Sequence, residues 1–324
     1  MNEPELKRRW TVRDMPSQAG RRALITGANS GIGFYAALEL ARAGAHVVLA
    51  CRDGARGEEA VARILAAVPA ASVEVVRLDL ASLASVRECA QAELARGGAL
   101  DLLINNAGVY APRKRLATAD GFELQFGTNV LGHFALTALL MPALLRAAET
   151  ARERPRVVTI ASIAHKRGRL NFDDLQSANE YSPSGSYGQS KLANLMLAFE
   201  LDRRLRAAGG DVARIMSVAA HPGVANTNLF QVGDFASLEL ALRRGARVVI
   251  GKLLNDQVQG AVPTLFAATA ADAESGGYYG PQGFKEMRGG DVGVAKVSAQ
   301  ARDEGAAARL WSECERLGGV TLRP

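Results

Sequence analysis

The feature that most constrains this chain is a glycine turn, Thr26-Gly27-Ala28-Asn29-Ser30-Gly31-Ile32-Gly33, set where the short apolar run Arg22-Ala-Leu-Ile-Thr-Gly27 gives way to a helical pattern. Its position gives it meaning. Gly27 can take backbone angles closed to other residues, Gly31 lets a diphosphate approach the main chain, and Gly33 allows helix and strand to pack closely. The helix N-terminus then presents unpaired N–H groups and a partial positive charge. Gly27, Asn29, Ser30, Gly31, Ile32 and Gly33 are therefore the expected cradle for the phosphates of a nucleotide.

The strand–helix alternation continues beyond that turn. Helical patterns near 31–43, 56–67, 83–94, 121–147 and 187–207 alternate with apolar, β-rich runs at 46–50, 73–78, 101–104, 156–161 and 214–219. Short strands that are apolar throughout are those of a parallel sheet covered on both faces. The expected architecture is a doubly wound parallel α/β sheet, a Rossmann fold. Domains run to roughly 100–200 residues, but a large α/β sheet often occupies such a length as one unit. The expectation is an amino-terminal extension over 1–20 and one domain over 21–324. After Pro222 the rhythm breaks, and 226–255, with Phe and Leu among Arg and Gly, reads as a helical cap over a pocket. Helices near 259–271 and 300–317 flank a glycine-rich turn, Gly276-Gly-Tyr-Tyr-Gly-Pro281.

Composition narrows the function classes. With 48% hydrophobic and 22% charged residues the chain can bury a sizeable core. The net charge of +6 arises from arginines interleaved with acids, as in Arg52-Asp53-Gly54-Ala55-Arg56-Gly57-Glu58-Glu59. It forms no aromatic-interleaved basic stripe, so a nucleic-acid partner is not expected. Cys51, Cys89 and Cys314 match neither a disulfide framework nor a zinc-ligand spacing, and no His or carboxylate cluster has ligand spacing, so no metal is expected. A polar start and the lack of a long uninterrupted apolar run make a cytoplasmic protein, without a leader or membrane partner, the expectation.

Three strand ends refine the nucleotide. An NAD-selective site places a carboxylate at the end of the second strand for the adenosine ribose. Here stands Ala50-Cys51-Arg52, in which Arg52 can pair with a 2′-phosphate, supported by Asn29. NADP(H) is the expected cofactor, with Asp53 an N-cap for the next helix. Asp79 can bond the adenine amino group or cap its helix, and Leu80 adjoins it. In Asn105-Asn106-Ala107-Gly108, the asparagines can tie strands together while Ala107 and Gly108 leave room for ribose.

The reactive residues follow. Tyr187-Gly-Gln-Ser-Lys191 opens a helix in this reading, and its i,i+4 spacing places phenol and ammonium on one face. A neighbouring cation favours phenolate and lowers the phenol pKa. Ser162 ends the fifth strand, where its hydroxyl can polarise a carbonyl, and Asn129 lies among apolar neighbours in the long helix, where a buried amide needs partners.

Taken together, the glycine turn, Asn105-Asn106-Ala107-Gly108, Asn129, Ser162, Tyr187-x-x-x-Lys191 and Pro222-Gly223 resemble the short-chain dehydrogenase/reductase family over residues 20–225. Ala50-Cys51-Arg52, Asn129-Val-Leu-Gly-His-Phe134 and Tyr187-x-x-Ser-Lys-Leu-Ala-Asn194 are similar to its retinol dehydrogenase, WW-domain oxidoreductase and protochlorophyllide reductase group. The resemblance implies hydride transfer, with Tyr187 as general acid–base and Ser162 orienting the carbonyl. Lys191 then tunes Tyr187 and grips ribose, and Asn129 completes a proton relay. Pro222, Gly223, Val224 and Thr227 would contact the nicotinamide end. It also implies a carbonyl or alcohol substrate and a homodimer or homotetramer built on helices flanking the site. Reduction of a conjugated C=C bond and non-catalytic NADP(H) sensing are the alternatives. His165, Tyr110 and Tyr181 are candidate substrate contacts, His133 a packing residue or a support for Asn129, and His221 the end of the sixth strand.

Overall fold

The computed structural model describes residues 9–110, 113–150, 153–223 and 256–323. The expected cap at 226–255, Val224 and Thr227 lie outside the described residues. Strands β1 (Arg22–Thr26), β2 (His46–Cys51), β3 (Ser72–Arg77), β4 (Leu102–Asn105), β5 (Arg156–Ile160), β6 (Met216–Ala220), β7 (Tyr278–Pro281) and β8 (Val292–Val294) form one eight-stranded sheet. Its order is β3-β2-β1-β4-β5-β6-β7-β8, parallel except for the antiparallel β7–β8 pair. The connections run outward in opposite directions from β1 and β4, so a crevice opens at their carboxyl ends.

Side chains alternate between the faces of this sheet. Leu24, Leu103 and Val157 enter one apolar cluster, while Ala23, Ile25, Leu102 and Ile104 enter the other. The helices are α1 (Gly31–Arg42), α2 (Gly54–Ala67), α3 (Leu83–Ala95), α4 (Leu124–Thr150), α5 (Pro183–Ala208), α6 (Gln257–Thr269) and α7 (Glu304–Gly318). The first cluster packs α3, α4, α5 and α7 on the sheet, and the second packs α1, α2 and α6. From Trp10 onward the amino-terminal extension is part of the second layer, with the Trp10 ring edge-on to Phe266 at 5.4 Å. By length and composition α4 is apolar enough to cross a membrane, but 72% of its apolar window is buried inside the fold.

Three boundaries differ from the sequence reading. Tyr278-Tyr-Gly-Pro281 is a strand rather than part of a turn, because β6 offers it a parallel edge and the two tyrosines bury on opposite faces of the sheet. Helix α5 begins at Pro183, a turn before Tyr187, because Ser182 caps it by accepting from the Gly185 N–H at 3.1 Å and proline suits the first helical position. Helix α4 widens into a π turn at Gly127–Leu131, around Asn129. Gly132 beside it is obligatory, since a Cβ there would lie 2.5 Å from the Leu80 carbonyl oxygen.

Helix α7 lies over α4 and α5, and Trp311 holds it there. Its indole is 1% exposed, stands edge-on to Phe134 at 5.0 Å and lies beneath the Arg204 guanidinium at 4.4 Å. Trp311→Ala is expected to cost roughly 3–5 kcal/mol in denaturant unfolding, with the loss appearing as an earlier midpoint.

Candidate active site

The nucleotide turn has the geometry its sequence implies. Gly27 and Gly31 have φ of 65° and 60°, and a Cβ on Gly33 would lie 2.5 Å from Asn106 Nδ2. The first N–H groups of any helix lack intrahelical partners. Asp53, Ser82, Glu123, Ser182, Asp256 and Asp303 provide side-chain caps for α2 to α7, whereas Ser30 makes no such bond to α1. The start of α1 thus keeps its donors for an anion. Cys51 lies beneath the turn, where the Ala28 and Asn29 N–H groups point at its sulfur, and burial pushes the thiol up to about 11. Arg52, one residue on, is exposed. These residues fit the diphosphate of a dinucleotide.

The crevice floor is knitted at Thr26. Its hydroxyl oxygen accepts from the Asn106 and Ala107 N–H groups, each at 2.9 Å, while Asn106 Nδ2 donates to the Thr26 carbonyl at 2.8 Å. Asn106 is therefore a tie between β1 and β4 that leaves Ala107 and Gly108 along the crevice. Asp79 does not cap α3; Ser82 does, and Asp79 Oδ1 instead accepts from the Ala81 N–H at 3.0 Å. Leu80 turns its side chain into the core, and its carbonyl packs against Gly132 of α4. At the far end, Gly223 has φ of 72° and donates its N–H to His221 Nδ1 at 3.1 Å.

The candidate reactive residues converge on the same edge. Tyr187 lies close enough to Ser162 for their hydroxyls to interact, and Ser162 Oγ accepts from the Ala164 N–H at 3.2 Å. Lys191 is 3% exposed, donates to the Ile160 carbonyl at 2.9 Å and lies 5.8 Å from the Tyr187 ring centroid. Asn129 is fully buried: its amide exchanges bonds with both main-chain groups of Val109 (2.8 and 3.1 Å) and donates to Ser190 Oγ at 3.1 Å. Ser190 in turn donates to the Tyr187 carbonyl at 2.8 Å. Asn129 therefore joins the loop after β4 to the helix that carries Tyr187 and Lys191.

Burial dominates the electrostatics. It raises the Tyr187 phenol to about 12, opposed by the Ser162 hydrogen bond, and lowers the Lys191 ammonium to about 8. The expected lowering of Tyr187 by Lys191 is thus not the governing effect, because the ammonium points at Ile160. Tyr187 is held as a protonated phenol.

Of the other candidates, Tyr110 packs against Tyr187 with ring centroids 5.3 Å apart and planes tilted by 58°, and Tyr181 lies near enough to Tyr110 to feel its charge. His165 corrects the sequence reading: it is fully buried behind Ser162, with Nδ1 2.7 Å from the Ser162 carbonyl oxygen and Nε2 accepting from the Ser298 N–H, so it supports the serine rather than meeting substrate. Thr26 and Ser190 were missed as functional supports. Only the place of Thr26, last in a strand before the glycine turn, hinted at its role.

A family model described as short chain dehydrogenase matches residues 21–234, and the chain belongs to that family, in its retinol dehydrogenase-like group. It is 41% identical to polyprenol dehydrogenase of Mus musculus over 94% of this chain and 86% of that protein. It is 38% identical to retinol dehydrogenase 14 of Mus musculus over 93% and 86%. A solved, uncharacterised protein of Mycobacterium Paratuberculosis is 40% identical, with a TM-score of 0.76 over 97% of this chain and 99% of that one. Solved relatives of this fold carry NADP or NADH, and the chain is an oxidoreductase whose fold binds a nicotinamide cofactor.

The Lys191 ammonium is present below about 8 and lost as pH rises through that value. Carbonyl reduction at saturating reduced cofactor is expected to fall above that pH. A rate that stays level into the ordinary lysine range contradicts the assignment.

Proposed function

We propose that this protein is an NADP(H)-dependent oxidoreductase that interconverts an apolar alcohol and its carbonyl compound. The observation that carries the reading is the convergence of Tyr187 and Ser162 at one sheet edge, with buried Lys191 on the next turn of the helix that carries Tyr187. When bound, the nicotinamide supplies or accepts the hydride. Ser162 orients the substrate oxygen, and Tyr187 gives that oxygen its proton in reduction or takes it back in oxidation. Lys191 offers positive charge beneath the phenol and a grip on ribose, and Asn129 organises the proton path. A protein that only sensed the nucleotide would have no chemical use for this set.

Cofactor choice rests on Arg52, which meets a 2′-phosphate where an NAD-selective protein would carry a carboxylate, with Asn29 beside it. Asp79 and Leu80 border adenine, Ala107 and Gly108 the ribose, and Pro222, Gly223, Val224 and Thr227 the nicotinamide end. Polyprenol and retinol, for which the relatives are named, are both apolar isoprenoid alcohols, and the Tyr110 ring packed against Tyr187 offers apolar surface to such a substrate. The three cysteines are unpaired and buried, as suits a reducing compartment such as the cytoplasm. Any homo-oligomer built on α4 and α5 must be built over α7, which covers their outer seam.

NADPH oxidation against retinaldehyde, farnesal and simple aromatic aldehydes tests the reaction. Turnover of the preferred aldehyde should drop at least about a hundredfold in Tyr187→Phe while NADPH binding persists. Arg52→Asp should weaken NADPH binding by about tenfold or more and reverse the preference toward NADH. An unaltered protein that binds NADH more tightly than NADPH contradicts the Arg52 argument.

A further inference from the structure

One buried imidazole touches both halves of the site. His133, on α4, is 4% exposed, with Nε2 2.9 Å from Thr26 Oγ1 and Nδ1 3.0 Å from the main-chain carbonyl oxygen of Asn129. Counting hydrogens fixes its form. The Thr26 hydroxyl oxygen has two lone pairs and one hydrogen, and the Asn106 and Ala107 N–H groups occupy both lone pairs. The hydrogen must therefore be donated. The Ile104 carbonyl is distant at 3.4 Å, whereas His133 Nε2 is at 2.9 Å. Nε2 is then an acceptor, the ring proton resides on Nδ1, and it points at an oxygen that can only accept.

We propose that His133 is a positioning residue, a neutral Nδ1–H imidazole that locks the reaction centre to the nucleotide turn through Asn129 and Thr26. This rests on the reading of Asn129, Tyr187 and Lys191 as the reaction centre. The loop after β4 has two anchors: Thr26 holds it at Asn106 and Ala107, and Asn129 holds it at Val109. His133 is the bond between these anchors. It thereby sets where Ala107 and Gly108 lie along the crevice relative to Tyr110 on Tyr187. Burial lowers its pKa to about 4, with the nearby Lys191 charge adding to that and the Asn129 bond opposing it. The ring consequently stays neutral at physiological pH.

The two ring nitrogens can be mimicked separately. In His133→Asn the amide nitrogen takes the place of Nδ1 and keeps the bond to Asn129, losing Thr26. In His133→Gln the amide reaches the Nε2 position and keeps Thr26, losing Asn129. Either substitution cuts the link at one end, so each should both weaken NADPH binding and lower kcat for retinaldehyde, or the fastest aldehyde of the panel, by about tenfold. His133→Phe, which fills the volume without either bond, should lose both.

Retention of NADPH binding and kcat in His133→Asn, His133→Gln or His133→Phe would overturn the proposal. Tyr187→Phe is measured alongside. Turnover that survives it condemns the reaction centre and the coupling with it, whereas loss in Tyr187→Phe with both parameters retained in the His133 variants condemns the coupling alone. Nitrogen-15 NMR of histidine-labelled, unmutated protein reads the tautomer without any variant having to fold. A proton on Nδ1 of His133 at neutral pH is expected, and an Nε2–H or charged ring overturns the proposal.

Discussion

The Thr26 hydroxyl bonds at the junction of β1 and β4 are the interaction on which the site depends. The sheet reverses its winding direction between these strands, so their carboxyl ends splay apart and open the crevice. Left alone, such an opening would leave main-chain N–H groups unpaired at the end of β4. Thr26 accepts two of them, and Asn106 returns a bond to the Thr26 carbonyl. A buried polar network of this kind is favourable only when every member is satisfied. His133 meets that condition by taking the remaining hydroxyl hydrogen.

Burial, more than the pairing of charges, sets the acid–base character of the centre. Tyr187 and Lys191 are one helical turn apart, yet the ammonium is directed to the Ile160 carbonyl and the phenol to Ser162. Removing both from water penalises phenolate and ammonium alike. The phenol therefore keeps its proton, while the lysine lies close enough to neutrality for its charge to be gained or lost within a working pH range. Neutral His133 and His165 stand behind Asn129 and Ser162 and hold main-chain groups without adding charge.

The carboxy-terminal third closes the fold around this centre. Strands β7 and β8 extend the sheet past β6, and Tyr278 from β7 packs between the rings of His165 and His221. Helix α7 seals the seam of α4 and α5 with Trp311. The helices that carry Asn129, Tyr187 and Lys191 are in this way held from outside as well as from the crevice.

The sequence by itself determined the parallel sheet, the glycine turn and the candidate set of reactive side chains, because each depends on local chemistry: strand and helix periods, backbone freedom at Gly27, and functional groups at fixed spacing. It also placed Ser162 and Arg52 at strand ends, since strand ends follow from the apolar runs. Tertiary structure decided the rest. Tyr278–Pro281 became a strand only because β6 presented an edge, a partner more than fifty residues away in the chain. His165 turned from a candidate substrate contact into a support because the segment around Ser298 closes over it. Whether Lys191 lowers Tyr187 depended on where a flexible side chain found its acceptor and on how much water the fold removed, and neither is written in a five-residue spacing.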